Sequence, residues 1–255
     1  MEEKHRLGGM ALANGVLVHG PTSWACAVRT SDGEIKVAAE RKRVSSGVES
    51  PLLRGPLKLL EAVAFLPRLK RVLPEAKLPF ERASVIGAMV GSAVVVQGIR
   101  RTRLADATKE LIGGLVTVLP AVLSLREGSL AAYHGAEHIA IGSYEHGEVR
   151  AREHERCGSH LVGPMLVTAA VGNVLAAKAP PRFRQAARGA TTVGAVAVAT
   201  ELFRWMQSNP DHPLARALAR PGHELQHRFA TAEPTPAQLE VAEAALRACL
   251  ELEDA

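Results

Sequence analysis

Four stretches without a charged residue, 83–99, 111–125, 161–177 and 189–200, occupy the middle of the chain. Each approaches the ~17–25 apolar residues that cross the hydrocarbon core of a bilayer, so each is expected to be a helix. The stretches are rich in Ala, Gly and Val rather than Leu and Phe. Small residues gain little on transfer to lipid, but they let helices approach closely. The flanking charges do not choose an orientation. Arg100, Arg101 and Arg103 follow the first stretch, and Lys178, Arg182, Arg184 and Arg188 follow the third. Four spans with both termini inside would put both basic loops outside, against the positive-inside tendency. Physics alone leaves two readings open: shallow or spanning membrane helices, and buried helices of a soluble bundle.

The remaining composition fits a mainly helical protein. Aromatic residues make up 4% of the 255 residues, and cores of small aliphatic residues favour closely packed helices over aromatic-rich sandwiches. The formal charge is +5. No Lys/Arg tract is interleaved with aromatics and no finger or helix-turn-helix signature occurs, so nucleic acid is not an expected partner. Cys26, Cys157 and Cys249 are far apart and form no CxxC pair, which argues against a disulfide framework and for a reducing cytoplasmic setting. The start, MEEKHRLGG, has no apolar run behind a basic head and reads as no cleavable signal peptide.

Ahead of the apolar stretches, residues 8–40 read as a small antiparallel sheet. Glycines and Pro21 punctuate short apolar runs, and Ser31-Asp32-Gly33 between Trp24–Arg29 and Glu34–Val37 is a hairpin signal. Residues 52–78 carry leucines at helical spacing, broken by Pro67 and Pro74. Residues 236–252 place Leu239, Val241, Ala245, Leu246 and Leu250 at helical spacing, which predicts a peripheral amphipathic helix. The expected organisation is α+β and mainly α: a β-rich segment over 1–50, a helical core over 51–235 that carries a polar segment at 133–160, and a carboxy-terminal helix over 236–255.

That polar segment holds the chemistry. His134 and His138 are four apart, so on a helix both imidazoles leave one face about 6 Å apart and can share a divalent ion such as zinc. Glu137 lies beside the same face, where a carboxylate could orient or deprotonate a bound water. The string H-x-x-E-H matches the inverted zincin pattern. Glu145 falls on that face if the helix continues past Gly142, and His154 and Cys157 follow at a spacing of three. Glu201 ends an apolar run and would be costly to bury without a cation or a hydrogen-bonding partner. Each of these groups also has a bland reading. A His pair at i, i+4 is often a solvated or hydrogen-bonded pair. Glu145-His146 and Glu153–Arg156 read equally as surface ion pairs, Cys157 as a packed thiol, and Glu201 as the partner of Arg204 on its own helix. A metal here could also be structural, since structural sites use the same ligand types.

The chain resembles the YqhQ-like family of bacterial proteins, also described as domain of unknown function 1385. Ordered blocks carry the resemblance from Gly8 to Leu246: GGMALANGVLVHGPTSWACAVRTSDGEI, RGPLKLLEAV, YHGAEHIAIGSYE, HERCGS, ELFRW and PGHELQHRFATAEPTPAQLEVAEAAL. The resemblance implies a multi-pass helical protein of the bacterial inner membrane, with membrane lipid as a partner and the HGAEH segment on the cytoplasmic side. It further implies metal positions at His134, Glu137 and His138, extending to His154 and Cys157. Three positions depart from the family pattern: Asn14 in place of a Glu, Ile139 in place of a Lys, and Ser159-His160 after Arg-Cys-Gly. The expected activity is that of a metal-dependent hydrolase with Glu137 as its catalytic base, and the alternative is a membrane-associated scaffold with a structural metal. Substrate, whether small molecule or peptide, is left open by the sequence, as is oligomeric state.

Overall fold

The computed structural model describes residues 4–42, 48, 50–126 and 129–255. As the sequence predicts, the protein is mainly α-helical with an amino-terminal antiparallel sheet. Strands β1 (Gly8–Leu12), β2 (Gly15–His19), β3 (Ser23–Arg29) and β4 (Ile35–Arg41) form a meander in the order β1-β2-β3-β4. The β3–β4 turn is the one that Asp32-Gly33 predicts: Gly33 takes φ 92°, a conformation that glycine adopts without steric cost. Asn14, at the β1–β2 turn, donates from its amide to the Arg29 and Glu75 carbonyls and accepts from the Lys77 amide. Asn14 thereby locks the turn.

Strand residues alternate between two apolar faces, as the two-residue period of a strand requires. Val16, Val18, Ala25 and Ala27 face one core, and Leu12, Leu17, Trp24, Cys26 and Val28 face the other. The second face is covered by α2 (Leu66–Val72) and the chain behind it, through Leu66, Leu69, Leu73, Ala76 and Leu78. Pro67 and Pro74 act as their fixed φ dictates, the first in the opening turn of α2 and the second just past its end. Helix α1 (Pro51–Ala64) precedes α2.

The first face is covered by α5 (Leu130–His146) and α9 (Pro236–Glu253). α9 has one exposed and one apolar face, and the apolar face is part of the core: Val241, Ala242, Ala245 and Cys249 are fully buried. The reason lies in small residues. Ala242, Ala245 and Cys249 let the helix lie close on the sheet, and Glu253 fixes it by accepting hydrogen bonds from the Thr22 and Ser23 amides at 2.9 and 2.6 Å and from both hydroxyls.

The four charge-free stretches all lie in helices. They fall in α3 (Ala83–Arg100), α4 (Asp106–Arg126), α6 (Val162–Ala177) and α7 (Arg184–Ser208), and α8 (Pro213–Leu225) follows them. α3 packs along α4, and α6 along α7. Among the described residues two segments, Ala83–Arg100 and Gly158–Ala177, are long and apolar enough to cross a membrane. These helices are not buried within the chain: Val90, Val94, Leu111, Leu115, Val171 and Val193 are all exposed, Val94 at 67%.

Candidate metal centre

Helix α5 is buried around most of its circumference, which its sequence allows because Gly135 and Gly142 lie where neighbours press in. A Cβ at Gly135 would sit 2.2 Å from the Ala232 carbonyl oxygen, and one at Gly142 would meet Arg150 and His154. The helix continues past Gly142 and stops at Gly147, whose φ of 76° closes it in the left-handed conformation that suits glycine. The chain then doubles back through 148–157 to lie against the helix that carries His134 and His138.

Each imidazole is tethered by one nitrogen. His134 Nδ1 lies 2.8 Å from the Ala230 carbonyl oxygen, and His138 Nδ1 lies 2.6 Å from that of Arg152. A carbonyl can only accept, so both rings carry their proton on Nδ1 and present the Nε2 lone pair on the other side. The ring centroids are 4.3 Å apart. Cys157 comes to the same point, its Sγ 3.5 Å from His134 Nε2 and itself receiving the Ser159 amide. One donor atom each from His134, His138 and Cys157 lies within 4.8 Å of the other two. With Zn–N near 2.0–2.1 Å and Zn–S near 2.3 Å, a tetrahedral edge from nitrogen to sulfur is about 3.5 Å. The set fits a borderline-soft divalent ion, with two neutral nitrogens and one sulfur. Burial pushes the His138 imidazole below its ordinary pKa, against the pull of Cys157 and Arg152, which keeps it neutral and able to ligate.

Glu137 is 6% exposed, and its Oε2 lies 4.0 Å from His134 Nε2. Among the described residues no hydrogen bond reaches its carboxyl group. Burial pushes that carboxyl upward, against the pull of His134 and His154. Strand β1 makes room for it: a Cβ at Gly9 would sit 2.3 Å from Glu137 Oε1. His134, Glu137 and Cys157 line a cleft of about 520 Å³ that also takes in Gly8, Gly9 and His19. A larger cavity of about 750 Å³ lies on the far side of His154 and Arg156. The smaller cleft is the candidate site because it alone of the two is lined by donors of the set, His134 and Cys157.

The other residues singled out by spacing lie elsewhere. His154 Nε2 pairs with Glu145 Oε2 at 3.2 Å, and Arg156 adds an ion pair to Glu145 at 3.0 Å. Burial alone would raise the Glu145 carboxyl, but the His154 hydrogen bond and the Arg156 charge outweigh it and hold it low. The His154 ring lies 5.5 Å from that of His138, behind the three donors. Glu201 is bound by Arg54 of α1, with Nε to Oε1 at 2.6 Å and a second contact from Nη2 to Oε2. Its hydrogen-bonding partner is therefore across a helix pair, and Arg204 of its own helix adds only a weaker charge interaction. Glu153 and Glu155 make surface pairs with His227 and Arg150.

Gln226 is a residue that spacing could not reveal. Fully buried, it accepts from the His154 amide at 3.0 Å, and its amide nitrogen, with two N–H groups to donate, lies 2.8 Å from the Ser159 hydroxyl and 3.2 Å from both the His154 carbonyl and His160 Nδ1. It thereby pins the 154–160 segment that carries Cys157. It also opens the π-helical turn Gln226–Ala230, whose last carbonyl holds His134. Such widened turns are rare and recur at functional sites.

Neither a curated protein nor a solved structure matches the chain. A family model described as protein of unknown function, DUF1385, matches residues 128–252, a region that contains all three donors, Glu137 and Gln226. On that match residues 128–252 of the chain belong to the DUF1385 family.

Proposed function

We propose that the protein is a metal-dependent hydrolase working at a membrane. His134, His138 and Cys157 hold the ion, and Glu137 acts as the general base. The observation that carries this reading is the buried Glu137 carboxyl beside three converging donors, reached by no hydrogen bond among the described residues and by His134 only at 4.0 Å. A purely structural site has little use for a carboxyl group that is costly to bury and accepts no hydrogen bond. Three protein ligands with a fourth position open is the pattern of catalytic zinc, and zinc is the ion this donor set suits best. When bound, such an ion lowers the pKa of a coordinated water and polarises a substrate oxygen. In this chain Glu137 would take the proton from that water and pass it to the leaving group, while the two carbonyl tethers keep both imidazoles aimed. Glu145, His154 and Arg156 stand behind the donors and position the segment that carries Cys157. The exposed valines and leucines of α3, α4, α6 and α7 support lipid as the surroundings of those helices.

The test combines elemental analysis with turnover. Wild-type protein is expected to carry zinc or a similar ion, and His134→Ala and His138→Ala to lose it. Glu137→Gln should keep the ion and lose chelator-sensitive hydrolysis in a pool of ester, peptide and phosphoester substrates. One observation favours a second reading, a structural metal in a non-catalytic scaffold: an ion at these donors would tie α5 to the 150–160 segment. On that reading Glu137→Gln retains the protein's cellular role. Metal-free wild-type protein would sink both.

A further inference from the structure

Beside the metal cleft lies a second cavity of about 770 Å³, between the amino-terminal strands and the helices α1 and α7. The two spaces share Leu7, Gly8 and His19 as walls. Their linings differ in charge. Arg6, Lys42, Arg54, Lys58 and Arg204 line the second, against one acidic side chain, Glu61. Two of these cations are committed within the protein: Arg54 holds Glu201, and Lys42 donates to the Gly20 carbonyl at 2.5 Å. The side chains of Arg6, Lys58 and Arg204 form no hydrogen bond or ion pair among the described residues, and all three are exposed. Cations gathered around one concave space repel one another and raise its potential, and a bound anion removes that cost.

We propose that this cavity binds a phosphate group, presented by an anionic lipid or by a soluble phosphate. Phosphate suits the lining because its oxygens accept several charge-assisted hydrogen bonds at once, and Arg and Lys are the side chains that supply them. The setting also suits a lipid headgroup. Helix α1 carries Arg54 and Lys58 toward the cavity, and on the same helix Leu59, Leu60 and Val63 are exposed at 45%, 62% and 48%. A phosphate seated here would have apolar helix surface next to it, where acyl chains could lie. The proposal does not depend on the metal centre.

The test uses the full-length protein in zwitterionic detergent micelles, titrated calorimetrically in three arms: phosphatidylglycerol, phosphatidylcholine and inorganic phosphate. Phosphatidylglycerol or inorganic phosphate, or both, should bind, with phosphatidylcholine at least about tenfold weaker than phosphatidylglycerol, since each nearby basic residue contributes on the order of 1 kcal/mol. Binding of phosphatidylglycerol alone identifies a lipid source, and equal binding of inorganic phosphate identifies a soluble one. Lys58→Glu combined with Arg204→Glu should weaken the anion about tenfold or more while metal content stays unchanged. Arg6→Glu, on the opposite wall, provides an independent variant should the double substitution fail to fold. Absence of anion binding in the wild type, or affinity unchanged by the charge reversals, overturns the proposal. Loss of metal alone leaves it standing.

Discussion

The body built from the sheet, α5 and α9 and the layer of α3, α4, α6 and α7 draw on the same small aliphatic residues and meet opposite surroundings. In the body, Val16, Val18, Val241 and Ala245 are fully buried. In the layer, valines of the same kind stand exposed along α3, α6 and α7. Polarity differs in the reverse sense. The body contains His138, Gln226 and Ser23 in its interior, each hydrogen-bonded by named neighbours, together with the buried carboxyl of Glu137, whereas the apolar stretches carry no charge at all. An uncharged helix therefore does not mark the interior of this protein. The interior is where polar groups are held in place by a protein lattice, and the uncharged helices are those with no such lattice around them.

The sharpest way to break that contrast is one substitution made on each side of it. Val241→Asp puts an unpaired charge into the core between α9 and the sheet and should cost ~4 kcal/mol or more, or abolish folding. Val94→Asp on α3 should change stability by no more than ~0.5 kcal/mol in aqueous detergent while it reduces partition into vesicles. Equal losses in chemical denaturation would mean that the α3 surface is covered by protein. Acid probes the body in a different way. His19 is held from its ordinary 6.5 down to about 4, chiefly by burial and then by Lys42. The unfolded chain therefore takes up this proton first as pH falls. Stability contributed by the neutral ring is complete above about pH 6.5 and is lost progressively toward pH 4, by roughly 3 kcal/mol in all. A urea titration series across that window should show the slope, and His19→Gln should flatten it. A smaller effect is expected of Gln226→Ala. Removing its buried hydrogen bonds should cost ~2 kcal/mol and weaken metal binding about 10–100-fold by loosening the segment behind Cys157 and the turn behind His134. Unchanged metal affinity in a competition assay with a chromophoric chelator would show that the donors hold their places without it.

Much of this contrast is legible in the residues themselves. The charge-free stretches, the Asp32-Gly33 hairpin and the His134–His138 pair are local patterns, and local spacing is enough to read them. What spacing does not carry is contact between distant segments. Ala242 and Cys249 count for little in a hydrophobic pattern, yet their small size lets α9 lie on the sheet. Cys157 is one of several plausible donors by spacing, and it is singled out only when the chain doubles back over α5. Glu201 takes its hydrogen bonds from Arg54, 147 positions away, with its helical neighbour Arg204 contributing only charge. Gln226 carries no motif at all, and its role arises from three segments meeting around one amide.

The shared core of β2, β3, α5 and α9 imposes a rule of parity. Elements that bury one another's side chains lie on one side of any bilayer, so the chain between β4 and α5 crosses an even number of times, as does the chain between α5 and α9. Helices α1 and α8, at 14 and 13 residues, reach about 20 Å, short of the ~30 Å hydrocarbon core. On the membrane reading proposed above, the outbound limbs α3 and α6 would need α4 and α7 as their return limbs, although these are less apolar. Each hairpin would then either pass through the bilayer, exposing its basic loop (Arg100–Arg103 or Lys178–Arg188) on the face opposite the candidate metal cleft, or rest on the near leaflet.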